Sequence, residues 1–155
     1  MQMKGKLSDG AVMLINAFMA LALAISIYLF IRKDWFLNFL EAHVLIFSML
    51  RNIIYHPIQG NTFLTAFLKN QMVDSLWSYA LECALIVKYA NLNRALYTGL
   101  FWAVAVELFQ MLPFVYATFD FLDIVAQIIG VIIAWCVGNV IYKVRHQQKI
   151  NLVEL

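Results

Sequence analysis

The chain has 155 residues, the length of one domain, and is 64% hydrophobic and 13% charged, against roughly 45–50% and ~25% in soluble domains. A soluble fold of this size cannot hide that much apolar surface, so lipid is the expected solvent. A formal net charge of +2 with no long basic run excludes an electrostatic nucleic-acid surface.

The first element follows Lys4 and Lys6 and runs over Ala11–Ile31, broken only by Asn16 and Ser26. It is longer than the ~7–15-residue apolar region of a signal peptide. It ends in Arg32-Lys33-Asp34 with no small-residue cleavage site, so it is expected to be retained as a membrane helix.

Trp35–Tyr55 reads differently. Asp34, Asn38, Glu41, Ser48 and Asn52 fall on one narrow helical face, and Phe36, Phe39, Ile46 and Ile53 on the other. This pattern predicts an amphipathic helix over about residues 35–55, lying in the interface with its stripe toward water. A fifth span, with the stripe turned to the bundle, is the alternative. Pro57 and Gly60 end the segment.

Three further stretches are read as spans. Met72–Ala90 carries Asp74, Glu82 and Lys88; Ala95–Leu112 carries Glu107 and Gln110; Phe119–Tyr142 carries Asp120, Asp123 and Gln127 near its start. The expectation is all-α: one membrane domain over residues 1–155, with four spans at about 11–31, 72–90, 95–112 and 119–142. Four spans put Lys4, Lys6, Lys88, Arg94, Lys143, Arg145 and Lys149 on one side, which the positive-inside rule makes cytoplasmic together with both termini. Arg32, Lys33, Arg51 and Lys69 run against that rule. A five-span chain would place its basic tail outside.

The chemistry is expected where acids meet membrane depth. A charged side chain at a helix centre costs on the order of 2.5–3.5 kcal/mol to insert, so it normally faces a bundle interior or a wet cavity. Glu107 and Gln110 are predicted in the outer half of the third span, and Asp120, Asp123 and Gln127 at the start of the fourth. Asp74 opens the second span, with Ser78 and Glu82 following at steps of four. These rows converge on one leaflet as a ligand-binding pocket of Asp74, Glu107, Gln110, Asp120, Asp123 and Gln127. Simpler roles stand beside this one: Asp74, Asp120 and Asp123 as helix N-terminal caps, and Glu107 and Gln110 as interhelical hydrogen-bonders. Gly130, Ala134 and Gly138 form a small-residue row for close helix packing.

Other site types lack their motifs. His43, His56 and His146 have no metal-ligand spacing with one another or with Cys83 and Cys136, which read as small buried hydrophobes. No nucleophile elbow, phosphate loop or metalloprotease helix is found, so no catalytic residue, cofactor or metal is assigned. Trp35, Trp77, Trp102 and Trp135 read as packing or interface anchors.

Glu107-Leu-Phe-Gln110, then Thr118-Phe-Asp120-Phe-Leu-Asp123, then Gln127 and Gly130, resembles the C-terminal signature of the VanZ-like membrane proteins. That signature is Glu-x-x-Gln, a loop, an acid, then Asp followed by Asn at four and Gly at seven. Glu107, Gln110, Asp123 and Gly130 match it, Asp120 takes the variable acidic position, and Gln127 replaces the Asn. Ala117 stands where many members have Arg, as in the subset with a Thr-Phe-Asp-x-x-Asp loop, whose Asp-x-x-Trp segment resembles Asp74-Ser-Leu-Trp77. The resemblance covers about residues 74–138. It implies a multi-pass protein of the bacterial inner membrane, in a family named for low-level resistance to the glycopeptide teicoplanin. The expected partners are membrane lipids, with a cation or the headgroup of a lipid-linked envelope precursor as ligand. The alternatives are an intramembrane enzyme acting on such a lipid, and an accessory subunit that oligomerises through its small-residue row.

Overall fold

The structure is a computed structural model that describes residues 9–31, 42–55, 62–112 and 120–153. It is helical throughout, with no strand among the described residues. The residues expected to open the amphipathic segment (Asp34, Trp35, Phe36, Asn38, Phe39 and Glu41) lie outside the described residues, as do Pro57, Gly60 and Ala117.

Helix α1 spans Asp9–Ile31. Its polar interruptions are satisfied within the helix: Asn16 Nδ2 donates to the Val12 carbonyl at 2.9 Å, and Ser26 Oγ to the Ala22 carbonyl at 2.7 Å. A side chain that returns to its own backbone leaves no polar group facing lipid. Helix α2 spans Leu45–Tyr55. At ~1.5 Å per residue it is about 16 Å long, half the thickness of a hydrocarbon core, so α2 by itself is too short to span.

Helix α3, Thr62–Phe67, runs through a π-helical turn at Leu68–Met72 into α4, Val73–Tyr89. Phe67, Met72 and Val73 are all right-handed helical, so the axis continues without a break. The π turn rotates the faces of α4 relative to α3 just before Asp74. Helix α4 ends at Ala90, which sits in the left-handed region at φ 49° and donates its N–H to the Ile86 carbonyl. Asn91 then caps α5, Leu92–Gln110, its Oδ1 accepting from the Arg94 N–H at 3.0 Å. These two residues make the whole turn between two antiparallel helices. Helix α6, Phe121–Val153, is the longest at 33 residues.

The packing registers give the topology. Ile27 clusters with Val73, Tyr79 Oη donates to Asn16 Oδ1 at 3.3 Å, and Met13 joins the core with Leu85 and Ile86, so α1 and α4 are antiparallel. Helix α4 lies between α1 and the α5–α6 pair and packs on all three. Gly130 of α6 faces the Ser75 carbonyl, where a Cβ would collide, and Gly138 faces Ile86 and Leu92. Helices α4 and α6 are therefore parallel and close. The core is built largely of small residues: Ala17, Ala20, Ala80, Cys83, Ala95 and Ala134 are all buried.

The outer surface is apolar on every long helix, with Phe18, Met19, Leu81, Tyr97, Phe101, Ile132 and Ile133 exposed. Two stretches, Asp9–Leu29 in α1 and Phe121–Val144 in α6, are long and apolar enough to cross a membrane. Helices α4 and α5, read from the sequence as the second and third spans, do not reach that length and composition among the described residues, α4 having 17 residues. Asp74, Glu82 and Lys88 interrupt α4, and Arg94 and Glu107 interrupt α5.

Candidate functional site

The acids are gathered at one end of the bundle, where α4 begins, α5 ends and α6 begins. The positions follow from helix register. Antiparallel packing of α5 on its neighbours brings Glu107 level with Asp74 and beside Gln127, and each step of one turn inward pairs Ser78 with Ala103, then Glu82 with Gly99.

A cleft of about 390 Å³ opens there between α4 and α5. Its floor holds Asp74, Ser78, Glu107, Gln110 and Gln127, with Ala103 making room between them. Glu107 is 2% exposed, and Gln127 and Ser78 are also buried. The glutamate is held by two amides on a single oxygen: Gln127 Nε2 donates to Oε1 at 2.6 Å across the α5–α6 interface, and Gln110 Nε2 donates to the same atom at 3.3 Å from the next turn of α5. Oε2 is buried with no hydrogen-bond partner.

Asp123 is half-buried, one turn before Gln127 on α6, and its carboxyl contacts that of Asp74. One of its oxygens, Oδ1, is buried without a partner. Asp120 instead shapes the start of α6, its Oδ1 accepting from the Leu122 N–H at 2.9 Å and its carbonyl from the Asp123 N–H at 3.2 Å. The structure thus brings Asp74, Glu107, Gln110, Asp123 and Gln127 together and sets Asp120 beside them as a cap. Among the described residues no Lys, Arg or His lines the cleft. Among the described residues no group of His, Cys, Asp and Glu has the arrangement of a metal site.

No protein family, curated protein or solved structure matches this chain.

Trp77 and Trp102, which read from the sequence as general anchors, both line the cleft, each 48% exposed at its mouth. Leu81 and Val106 complete the lips. The signal was present in the spacing. Each of these lip residues but Leu81 is the chain neighbour of a floor residue (77 beside 78, 102 beside 103, 106 beside 107), and Leu81 follows Trp77 by one turn.

Glu82 sits one turn, about 6 Å, further in than Ser78. It is completely buried, and neither carboxyl oxygen has a partner. Gly99 and Val131 bound it, and a Cβ on Gly99 would run into Glu82 Oε2. Glycine at 99 is the condition for seating this carboxyl between α4 and α5. His43 is exposed, and both cysteines are free, Cys83 buried and Cys136 exposed.

Proposed function

We propose that this chain is a multi-pass protein of a bacterial inner membrane, akin to the VanZ-like proteins, whose outward-facing acidic cleft binds a cation or the polar headgroup of an envelope lipid or cell-wall precursor. Four helices cross the bilayer in this reading, with α4 and α5 tolerating their acids because those acids face one another. Both termini lie in the cytoplasm.

The observation that carries the reading is the Glu107 carboxylate, buried at the cleft floor with one oxygen held by Gln110 and Gln127 and the other unpartnered. A buried acceptor left open costs on the order of 1–3 kcal/mol unless something fills it. An acid held rigidly by two helices, beside two more acids, is suited to binding rather than to bundle association alone. Glu107, Gln110, Asp123 and Gly130 are also the positions on which the resemblance to the VanZ-like signature rests.

The test is made in cells. Expression of the native chain is expected to change susceptibility to glycopeptide antibiotics, and the double variant Glu107→Gln, Asp123→Asn, which keeps the shape and removes both charges, is expected to abolish that change. Unchanged susceptibility with a variant that reaches the membrane at native levels removes the basis of this reading.

A further inference from the structure

The cleft offers hydrogen-bonding groups of both kinds. Glu107, 2% exposed, lines it with Oε2 unpartnered, an acceptor open to a donor. Gln110 and Gln127 each give one N–H to Glu107 Oε1, which leaves each amide a carbonyl oxygen and a second N–H. Ser78 adds a hydroxyl, which both donates and accepts. An ammonium brings donors only and a phosphate acceptors only. A ligand bearing several hydroxyls meets both kinds at once, whatever the charge state of the acids around it.

Polarity also changes with depth. Gln110 closes α5, and Glu107 lies one turn inside it. On the opposite wall Leu81 is about two turns, or ~10 Å, further along α4 than Asp74, which is level with Glu107. Trp77 and Trp102 stand between these levels, one on each wall and each 48% exposed. The cleft is therefore polar toward the helix ends and apolar toward the middle of the bundle. Two indoles bordering a hydrogen-bonding floor suit a sugar ring, whose C–H groups lie against the negative ring faces while its hydroxyls reach the floor. A volume of about 390 Å³ is near the lower end of the ~300–1,000 Å³ range of small-molecule sites, so a single ring is the size expected.

We propose that the cleft takes the sugar headgroup of a membrane glycolipid, with the hydroxyls on Glu107, Gln110, Gln127 and Ser78, the ring between Trp77 and Trp102, and the chains leaving past Leu81 into the bilayer. This names the headgroup for the binding reading proposed above and rests on it. A lipid without the sugar is discriminated against because it leaves the floor groups unmet. A free sugar is discriminated against because it leaves the apolar end of the cleft bare.

The experiment uses the full chain in nanodiscs of phosphatidylcholine and phosphatidylglycerol, with empty nanodiscs as the blank. Tryptophan fluorescence is followed during addition of short-chain monoglucosyl diacylglycerol, the same diacylglycerol without its sugar, methyl glucoside, short-chain phosphatidylethanolamine and Mg²⁺. Saturable binding of the glucolipid is expected, about tenfold or more tighter than the sugar-free lipid and than methyl glucoside, the order that one hydrogen bond to a charged group provides. Glu107→Gln, which replaces the charged acceptor by a neutral one of the same shape, is expected to weaken it about fivefold. Trp102→Leu leaves the buried floor intact and Trp77 as a reporter, and it too is expected to weaken binding about fivefold, with Trp102→Phe retaining most of it. Glucolipid binding that Trp102→Leu leaves unchanged overturns the seat between the indoles. Equal binding of the glucolipid and the sugar-free lipid overturns the sugar assignment, and equal binding of the glucolipid and methyl glucoside overturns the lipid assignment. Binding of phosphatidylethanolamine or Mg²⁺ that Glu107→Gln abolishes, without binding of the glucolipid, overturns the sugar assignment while leaving the cleft as a binding site. No response to any probe overturns both readings.

Discussion

Asn16, Ser26, Thr98 and Asn139 show what a polar side chain ordinarily does in an apolar helix of this protein: each donates to a carbonyl four residues back in its own helix. Glu82 and Glu107 depart from that habit. Glu107 spends one oxygen on neighbouring amides, and Glu82 has no partner at all. Replacing a buried, unpartnered carboxyl by an apolar side chain of similar length removes a polar group and leaves no cavity. Glu82→Met is therefore expected to stabilise the fold by about 1–3 kcal/mol, read as a higher midpoint in detergent-titrated unfolding. A lower midpoint would mean that Glu82 has a partner that holds the helices together. Ala90 offers a second stabilisation. An L-residue in the left-handed region costs roughly 1–2 kcal/mol that glycine does not carry, so Ala90→Gly is expected to raise stability by about 1 kcal/mol in the same measurement. The acids of this site could be picked out from the sequence because charge inside an apolar run is rare. The tryptophans beside them could not, because an aromatic in a membrane helix has many uses and only the packing register selects one.

Helix α4 is the element on which the arrangement depends, since it touches α1, α5 and α6 and supplies Asp74, Ser78, Trp77 and Glu82. Its continuity with α3 through a π turn was not readable from hydrophobic periodicity, which assumes one angle per residue and loses its phase where the turn widens. The periodic row beyond the turn remained readable, which is why Asp74, Ser78 and Glu82 fall on one face in the sequence as well. The close approach of α4 and α6 is tested at Gly130. A Cβ there would strike the Ser75 carbonyl, a backbone atom that cannot swing aside. Gly130→Ala is expected to destabilise by about 1–3 kcal/mol, the usual cost of overpacking, although the same change at an open helical site favours the helix by ~0.5–1 kcal/mol. The sign of the measured change decides whether the two backbones meet there. The turn between α4 and α5 gives an independent probe of the pair that forms the cleft walls. Asn91→Ala removes the only side chain seen capping α5 and is expected to cost ~1 kcal/mol, with the cleft residues keeping their places because they lie at the opposite end.

At the scale of the molecule, the two ends of the bundle differ in charge among the residues whose side chains are described, Arg32, Lys33, Arg51 and Lys69 not being among them. Lys88 and Arg94 flank the α4–α5 turn, both over the Tyr89 ring at 5.5 and 4.7 Å, and Lys143 lies near that end on α6. Asp74, Glu107, Asp120 and Asp123 occupy the other end. This polarity follows from helix order and direction, so it was readable once the helices had been found. Where each acid points depended on register between helices, and the sequence does not state that register. In the orientation proposed above, the basic end lies in the cytoplasm, as the positive-inside rule favours, and the cleft in the outer leaflet. Cysteine accessibility measures this. Cys83 and Cys136 are first replaced by alanine, since both are free thiols. Tyr116→Cys, between α5 and α6, is then expected to react with a membrane-impermeant maleimide in intact spheroplasts, and Asn93→Cys, exposed in the first turn of α5, only after the membrane is opened. The reverse pattern would move the cleft to the cytoplasmic leaflet and detach it from any extracellular envelope precursor. Labelling of both sites in intact spheroplasts would mean that α5 does not cross the membrane, leaving only α1 and α6 as spans and the cleft as a feature of the surface.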